Sequence, residues 1–265
     1  YGDYAEGDFC VFFLDIRRFT SKAEKMTPKE ALAFINSFLA AVAPVVRQHH
    51  GIVDKYLGDG FMAIFSRSGH AKRDAVLCAV DTLEVLNSYN DRHRSPIEPL
   101  ASTRGPRDYI EVGIGIKSGP MILGAVGYQE RLDFTVLGDV VNTASRIEQL
   151  NKILGSSILV HENVTQGTSL DVAHRYVGAL SIRGKREKLK LWEVFESDPE
   201  PLRELKARSR SDFERAVDHI DSREPETAVP ILETLYAANP DDSVVRYYLK
   251  SLTGRQSRGF KLIDD

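Results

Sequence analysis

The spacing of apolar positions changes along the chain, and the changes predict an alternation of strands and helices. Residues 9–16, FCVFFLDI, form a short and almost wholly apolar run that is typical of a buried strand. Residues 52–57 and 61–65 are two β-prone runs on either side of Gly-Asp-Gly at 58–60. This turn indicates a β-hairpin, because glycine adopts positive φ without steric cost. Asp59 is therefore expected at the tip of the hairpin.

Helical spacing follows each of these strand signals. Thr27, Pro28 and Glu30 predict a helix start, with Thr27 as N-cap and Glu30 closing a capping box. Apolar residues then recur every three or four positions, and Gly51 is predicted to end this helix. A second amphipathic helix is predicted over residues 71–92.

The second half of the chain carries further strands and one more helix of the main domain. A strand is predicted from Tyr109 and is expected to end at Ser118-Gly119-Pro120. Gly138-Asp139 is expected to open a helix that runs to Leu154. Other strands are predicted at 132–137, at 157–161, and within 180–195 on both sides of a basic turn at 183–186.

The predicted order up to the strand from Tyr109 is β-α-β-β-α-β, the split arrangement of a ferredoxin-like core. The fold class is therefore α+β, a ferredoxin-like βαββαβ core with extra strands. From about Asp198 the strand signals stop and helical spacing takes over. The chain is divided into a main domain over 1–197 and a helical appendage with a tail over 198–265. A lone helical hairpin cannot bury its apolar face, so it should pack on the main domain or on a partner.

Composition narrows the class of protein. The chain has 265 residues, of which 42% are hydrophobic, and a net charge of -3, so nucleic-acid binding through bulk charge is not expected. Cys10 and Cys78 lie in apolar runs and predict buried thiols of a reducing compartment. The sequence shows no uninterrupted apolar stretch of about 18 residues, so no membrane segment is predicted.

The chain begins at Tyr1 without a Met or a signal-like segment, which indicates a piece of a longer protein. We expect a cytoplasmic location, either for the protein as a whole or for this chain as the intracellular catalytic part of a longer protein that is attached to a membrane elsewhere.

Four polar residues stand where they could carry chemistry. Asp15 ends the first apolar run, where a carboxylate must be paired, hydrogen-bonded or metal-bound, although it could also cap the next helix. Asp59 is a candidate too, although aspartate is a common turn former. Asn142 and Arg146 share one helix face near a helix N-terminus, which favours anions, although both could simply be solvated.

Four motifs in order carry a resemblance to a known family: FFLDIRRFT, DKYLGDGFMAIF, VGIGIKSGPMILGAVG and DFTVLGDVVNTASRIE. Together they resemble class III nucleotidyl cyclases over approximately residues 9–195. The resemblance implies the ferredoxin-like core and conversion of a nucleoside triphosphate to a 3',5'-cyclic monophosphate and pyrophosphate. It also implies two divalent cations per site, Mg²⁺ or Mn²⁺, with Asp15 and Asp59 as metal-binding aspartates and the Ile16 carbonyl as an additional ligand.

The resemblance extends to the substrate. Lys55 matches the base-reading lysine of adenylate cyclases, and Thr135 falls at the second base-reading position, so ATP is the implied substrate. Asn142 and Arg146 match residues that act on the ribose and on the transition-state phosphate. A phosphate-binding lysine is expected in the basic turn, where Lys185 is favoured over Arg183.

Two alternatives remain open at this point. The first alternative is a guanylate cyclase. Members of that subgroup have Glu and Cys at the two base-reading positions, and this sequence has neither residue there. An inactive cyclase-like module that binds nucleotide usually lacks a metal Asp or the Asn/Arg pair, and this sequence keeps both.

Along a strand, Lys55 lies on the order of 10 Å from Asp59. As the family implies, we expect two copies of the chain to form a homodimer that shares two sites.

Overall fold

The structure, a computed structural model, describes residues 4–92, 109–128, 131–181 and 187–254. Within these ranges the chain forms eight strands and eight helices. The strands are β1 (Tyr4–Ile16), β2 (Gly51–Leu57), β3 (Gly60–Phe65), β4 (Val112–Tyr128), β5 (Arg131–Leu137), β6 (Ile158–His161), β7 (His174–Leu180) and β8 (Leu189–Val194). The helices are α1 (Phe19–Ala23), α2 (Pro28–Gln48), α3 (Ala71–Arg92), α4 (Asp139–Leu154), α5 (Glu162–Thr165), α6 (Glu200–Asp221), α7 (Pro225–Ala238) and α8 (Ser243–Thr253).

All eight strands belong to one sheet in the order β2-β3-β1-β4-β6-β8-β7, with β5 paired to β4. Strand β1 is central and runs antiparallel to both β3 and β4, whereas β4 and β6 are parallel. The predicted ferredoxin-like order and the α+β class are confirmed. The sheet is extended beyond that core by β6, β8 and β7.

Successive residues of β1 point to opposite faces of the sheet, and both faces are covered by helices. Phe12, Leu14 and Ile16 belong to the larger apolar core, which includes buried side chains of α2 and α3. Val11 belongs to a second cluster that includes Val140 and Ala144 of α4. Since Asp15 has the same parity as Val11, it lies on the face of the sheet that α4 covers.

Helix α2 begins as predicted and ends differently. The Thr27 hydroxyl accepts from the Glu30 backbone N–H, and the Glu30 carboxylate accepts from the Thr27 N–H at 2.7 Å. The prediction that Gly51 ends the helix is wrong, because His50 takes the left-handed conformation with φ 61°. Gly51 instead opens β2, where an added Cβ would lie 2.6 Å from the Phe65 ring.

Among the described helices, α2 has the length and hydropathy of a membrane-spanning segment, with a mean hydropathy of 1.4. Length and composition do not separate such a segment from the core helix of a globular domain. The Phe38, Val42 and Val46 side chains of α2 are fully buried in the core. The absence of a membrane segment therefore stays a prediction.

Two strand predictions are corrected. The strand from Tyr109 does not end at Ser118-Gly119-Pro120, because β4 continues to Tyr128 and pairs with the first half of β1, with Gly119 extended opposite Phe9. The strand before the basic turn does not start at Leu180 but ends there. Its apolar alternation is hidden by a bulge at Gly178, which has φ 113°, and by a charged residue, Arg175, that is buried.

Helices α6, α7 and α8 pack on the end of the sheet formed by β7 and β8. Of the two predicted positions for the appendage, on the main domain or on a partner, the structure shows the first. Buried side chains of α4, β6, β7 and β8 share one apolar cluster with those of the three helices. The Tyr248 hydroxyl of α8 donates to the Val177 carbonyl of β7. The C-terminal helices are therefore part of the same packed structure as the sheet.

A buried ionic network fixes this junction. Arg175 of β7 is fully buried and donates from both terminal nitrogens to the Asp242 carboxylate, at 2.7 and 2.8 Å. Its Nε donates to Glu193 of β8 at 2.7 Å, and its guanidinium stacks 4.1 Å from the Phe213 ring of α6. Lys206 of α6 donates to the other Glu193 oxygen at 2.8 Å. Each buried charge thus has an opposite partner, as burial requires.

Candidate active site

Asp15, near the end of β1, and Asp59, in the turn between β2 and β3, lie close enough for the charge of Asp59 to act on Asp15. Asp15 pairs with Gly60 in the β1–β3 register, and the two-residue turn Gly58-Asp59, with Gly58 at φ 71°, places Asp59 next to that pair. A Cβ added to Gly60 would lie 3.0 Å from Asp15 Oδ1 and 2.1 Å from the Leu14 carbonyl oxygen, so only glycine fits there. The hairpin thus brings together the two aspartates that the sequence singled out.

The environment of both carboxylates disfavours their ionised forms. Burial, and then the charge of Asp59, raise the pKa of Asp15 to about 6, although a hydrogen bond from the Ile16 backbone lowers it in part. Burial also raises the pKa of Asp59. Burial disfavours the ionised form of both carboxylates and the charge of Asp59 adds to this effect at Asp15, so a bound cation would stabilise their ionised forms.

A third carboxylate, Glu148 of α4, lies near the pair, and the sequence analysis did not single it out. Asp15 pairs with Gly113 in the β1–β4 register, and a Cβ on Gly113 would lie 2.5 Å from Glu148 Oε1. Burial and then Asp15 raise the pKa of Glu148 to about 7, against the lowering effect of Arg17. Glu148 therefore adds negative charge to the same region.

Close packing of α4 on β4 puts Glu148 there. A Cβ on Gly115 would lie 2.3 Å from the Glu148 backbone nitrogen and 2.5 Å from the Ala144 carbonyl oxygen. Gly113 and Gly115, which have no side chains, thus let α4 approach β4 closely. The spacing of Ala144, Glu148 and Asn151 along one helix face was the signal that could have identified Glu148.

The oxygen atoms of Asp15, Asp59 and the Ile16 carbonyl suit a hard divalent cation, although side chains alone do not form a complete set of ligands there. Within the described ranges, no group of three or more His, Cys, Asp or Glu side chains is arranged to hold a metal ion. A site there would therefore use two carboxylates and a main-chain carbonyl. Asp15, Asp59 and the Ile16 carbonyl supply oxygens only, the ligand type that Mg²⁺ and Mn²⁺ take.

Asn142 and Arg146 lie on the opposite side of α4 from the sheet. Ala144 is fully buried against Gly115. At 100° per residue, Asn142 and Arg146 each lie about 160° from Ala144 around the helix and about 40° from each other. Asn142 is exposed and Arg146 is half-buried. One chain therefore does not bring these two residues to the Asp15–Asp59 pair.

The base-reading candidates are placed only in part. Lys55 follows a bulge in β2, its side chain is 41% exposed, and its Nζ lies 3.2 Å from Asp54 Oδ2. Thr135 pairs through its backbone with Gly124 of β4, and its side chain is outside the description. Arg183 and Lys185 lie outside the described residues.

The fold and the paired carboxylates define an α+β protein whose sheet presents acidic groups at one end of its central strands. A family model described as the adenylate and guanylate cyclase catalytic domain matches residues 3–195. The chain belongs to this family of class III cyclases, whose members use divalent metal ions.

Two curated relatives are similar to this chain over most of its length. The terminal-differentiation specific adenylate cyclase of Dictyostelium discoideum is 32% identical over 253 residues, which is 94% of this chain and 11% of that protein. An adenylate cyclase of Anabaena cylindrica is 37% identical over 188 residues, which is 69% of this chain and 36% of that protein. The chain thus spans only a minor part of each relative.

Solved structures share the fold. The adenylyl cyclase CyaB from P. aeruginosa superposes with a TM-score of 0.60 at 21% identity, over 72% of this chain and 95% of that one. The guanylyl cyclase Cya2 also gives a TM-score of 0.60, at 23% identity, over 74% of this chain and 96% of that one. Since structures with either name match equally well, the fold does not indicate the base.

Proposed function

We propose that this chain is the catalytic part of an adenylate cyclase, which converts ATP to 3',5'-cyclic AMP and pyrophosphate. The observation that carries the proposal is the position of Asp59 in the turn next to Gly60, the β3 partner of Asp15, where burial and the charge of Asp59 disfavour ionisation of Asp15 and a cation would stabilise it. Asp15, Asp59 and the Ile16 carbonyl would hold two divalent ions per site. When bound, such ions lower the pKa of the attacking ribose 3'-hydroxyl and neutralise phosphate charge.

The choice of ATP rests on Lys55 and Thr135. The Lys55 ammonium would donate to adenine N1, whereas guanine carries a hydrogen at N1 and would face a second donor. A donor left unpaired in a closed site discriminates strongly between bases. The names of both curated relatives agree with this choice.

The remaining roles concern the ribose and the phosphates. Asn142 would orient the ribose by hydrogen bonding, which is a positioning role. Arg146 would donate to α-phosphate oxygens that gain charge in the transition state. Lys185, rather than Arg183, would bind the terminal phosphates.

The active unit in this proposal is a homodimer with two composite sites. It is supported by the position of Asn142 and Arg146 on the side of α4 away from the sheet. It is also supported by apolar residues on the edge strand β2, where Ile52 and Tyr56 are 66% and 56% exposed. Large exposed apolar side chains grouped on a strand edge are typical of an interaction surface.

Product identification tests the reaction. The chain is incubated with Mn²⁺ and either ATP or GTP, and products are separated by chromatography and identified by mass. We expect cyclic AMP from ATP and little cyclic GMP. Cyclic GMP as the main product would support the guanylate cyclase alternative, and no cyclic product from either nucleotide would support an inactive binding module.

Mixing two inactive variants tests the composite site. Asp59→Ala and Asn142→Ala chains are each expected to be inactive alone. In a mixed dimer, one of the two sites is intact and the other carries both changes. With random pairing, half of the dimers are mixed, so activity should recover to about a quarter of the wild-type value. No recovery after subunit exchange would contradict shared sites.

A further inference from the structure

The peptide unit that joins Ile16 to Arg17 is held from the β4 side of β1. The Arg17 backbone N–H donates to the Glu111 carbonyl, which directly precedes β4, at 2.8 Å. This peptide bond is trans, so its N–H and its C=O point in opposite directions. Because β1 lies between β3 and β4, the Ile16 carbonyl points away from β4 and towards the β3 side.

The β3 side at this level of the sheet is where the turn with Asp59 lies. Asp15 pairs with Gly60, and β1 and β3 are antiparallel. The next residue of β1, Ile16, therefore comes opposite the residue before Gly60, which is Asp59. The hydrogen bond made by the following residue thus directs the Ile16 carbonyl towards the side of β1 that carries the aspartate turn.

The side chain of Arg17 ties this peptide unit to the end of α4. Arg17 has the same parity along β1 as Asp15, so its side chain lies on the face of the sheet that α4 covers. Its guanidinium donates to the Ser156 carbonyl and approaches the Asn151 carbonyl, in the last turn of α4, at 3.5 Å. Carbonyls at a helix C-terminus carry partial negative charge, which the guanidinium complements.

The group to which Arg17 is tied is itself fixed. Asn151 and Ser156 are buried, the Asn151 amide donates to the Ile114 carbonyl of β4 at 2.9 Å, and the Ser156 hydroxyl donates to Asn151 Oδ1 at 3.0 Å. In the part of the chain that the structure describes, Arg17 Nε is buried without a hydrogen-bond partner. A buried donor without a partner costs free energy, so stability alone does not account for an arginine at this position.

We propose that Arg17 is a positioning residue for the cation site. Its guanidinium holds the end of β1 on the end of α4, and this anchor keeps the Ile16 carbonyl directed towards the side of Asp59. The inference rests on the proposed function, because the Ile16 carbonyl acts as a ligand only if the site holds divalent cations.

The charge of Arg17 and its proposed position have opposite effects on cation binding. The charge of Arg17 lowers the pKa of Glu148, so it reaches the acidic region. If charge alone mattered, removing Arg17 would remove a repulsion and strengthen the binding of a cation. If Arg17 positions the carbonyl, its removal weakens binding. The sign of the change therefore separates the two explanations.

Mn²⁺ titration of the full chain without nucleotide measures that sign. Bound and free Mn²⁺ are distinguished by the paramagnetic resonance signal of the free ion. Arg17→Met keeps an unbranched side chain without donors and should weaken Mn²⁺ binding about tenfold, as loss of a residue that orients a ligand does. Arg17→Lys keeps the charge, so any loss reports geometry, and it should weaken binding less than Arg17→Met.

Two controls accompany these variants. Arg18→Met removes the same charge one residue further along, from an exposed side chain that pairs with Glu111 at 2.6 Å, and should leave Mn²⁺ binding unchanged or stronger. Val217→Ala removes apolar volume from the buried core of α6 and tests for a general effect of lower stability. It should leave Mn²⁺ binding unchanged.

The outcomes separate this inference from the proposed function. Wild-type binding that Arg17→Met leaves equal or makes stronger overturns the inference alone. A chain that binds no Mn²⁺ in its wild-type form contradicts the proposed function as well. Amide hydrogen exchange gives a second measurement, because the protection of the residue 17 amide should fall about tenfold in Arg17→Met and less in Arg17→Lys. Unchanged protection in Arg17→Met also overturns the inference.

Discussion

At the scale of single residues, the acidic region around Asp15 gathers negative charge that the folded chain alone does not neutralise. The pKa values of Asp15 and Glu148 are raised to about 6 and about 7. A carboxyl group whose folded pKa is raised stabilises the fold below its unfolded pKa near 4, and this contribution is lost as pH rises through the folded pKa. The metal-free protein should therefore lose stability between about pH 4 and pH 7, and a divalent cation should restore it.

The variant Asp59→Asn should lower the pKa of Asp15 in the metal-free protein. Removing the charge of Asp59 removes the second cause of the shift, but burial, the larger cause, remains. The pKa should therefore fall below about 6 without reaching the ordinary value of 3.8. Carboxyl ¹³C chemical shifts followed against pH measure this directly. Asp171→Asn, at an exposed position, is the control and should leave the Asp15 titration unchanged.

The residue scale also shows what sequence reasoning could and could not find. A strand end and a two-residue hairpin, both local signals, predicted the positions of Asp15 and Asp59, and the resemblance to class III cyclases implied that the two act together. Glu148 was missed because a glutamate in a polar stretch of a helix is expected to be a solvated surface residue. Its burial depends on Gly113 and Gly115 of another strand, so the helical spacing of Ala144, Glu148 and Asn151 indicates a shared helix face but not what packs against that face.

At the scale of elements, α4 owes its position to the two glycines of β4. Gly115→Ala should destabilise the protein and displace α4, because the new Cβ would lie 2.5 Å or less from the Glu148 nitrogen and the Ala144 oxygen. Both are backbone atoms of a packed helix and cannot rotate away. We expect a loss of roughly 1–3 kcal/mol, measured by urea unfolding, because overpacking a core has costs of that size.

Gly254→Ala is the matched control for this change. Gly254 has φ -66° and no atom within 4 Å of an added Cβ. The substitution should leave the free energy of unfolding unchanged within roughly 0.5 kcal/mol. Equal losses in the two variants would contradict the packing of α4 described above.

The Arg175 network makes a second prediction for elements, one that depends on pH. Burial alone would raise the pKa of Asp242, but the hydrogen bonds and charge of Arg175 hold it below its usual value. Such a carboxylate stabilises the fold above its unfolded pKa near 4, and the contribution is lost as pH falls through the lower folded pKa. Acid should thus weaken the junction between β7 and α8.

Asp242→Asn should cost about 3–5 kcal/mol at pH 7, because it leaves Arg175 with less compensation in a buried site. Asparagine can still cap α8, so the loss reports the charge rather than the cap. Unfolding free energies at pH 7 and below pH 4 should show a smaller acid effect in the variant than in the wild type. The control Asp212→Asn breaks an exposed pair with Arg215 and should cost less than about 1 kcal/mol.

Which elements the sequence predicted follows from the kind of signal each one carries. Strands β1 to β3 and helices α2 to α4 were found because their apolar spacing is regular and their caps and turns are standard. Strand β4 was predicted too short, since Ser-Gly-Pro normally interrupts a strand. The start of β7 was missed because its buried Arg175 and its bulge at Gly178 break the alternation. In both strands, long-range pairing overrides the local signal.

At the scale of the whole molecule, the proposed homodimer would form through the edge strand β2. Ile52→Glu places a charge among exposed apolar residues of that edge and should prevent two chains from associating through it. We expect sedimentation to show monomers and cyclase activity to fall at least tenfold, with the fold intact by circular dichroism. Leu205→Glu, on the exposed side of α6, is the control and should retain both dimer and activity. A variant that stays dimeric and active would place the interface elsewhere.

The buried guanidinium of Arg175 has a consequence for where this protein can be cut. The family match ends at Phe195, and a fragment that stops there keeps Arg175 and Glu193 but loses Asp242, Lys206 and the Phe213 ring. In such a fragment, the Arg175 guanidinium would be exposed to solvent and would keep only Glu193 as a partner. The apolar side chains of β7 and β8 that pack against α6 to α8 would also be exposed. Limited proteolysis should therefore spare the link at 196–199 in the native protein, and an excised 1–195 fragment should aggregate. The smallest unit that stays soluble should therefore extend through α8, which begins just after Asp242, rather than end with the homologous segment.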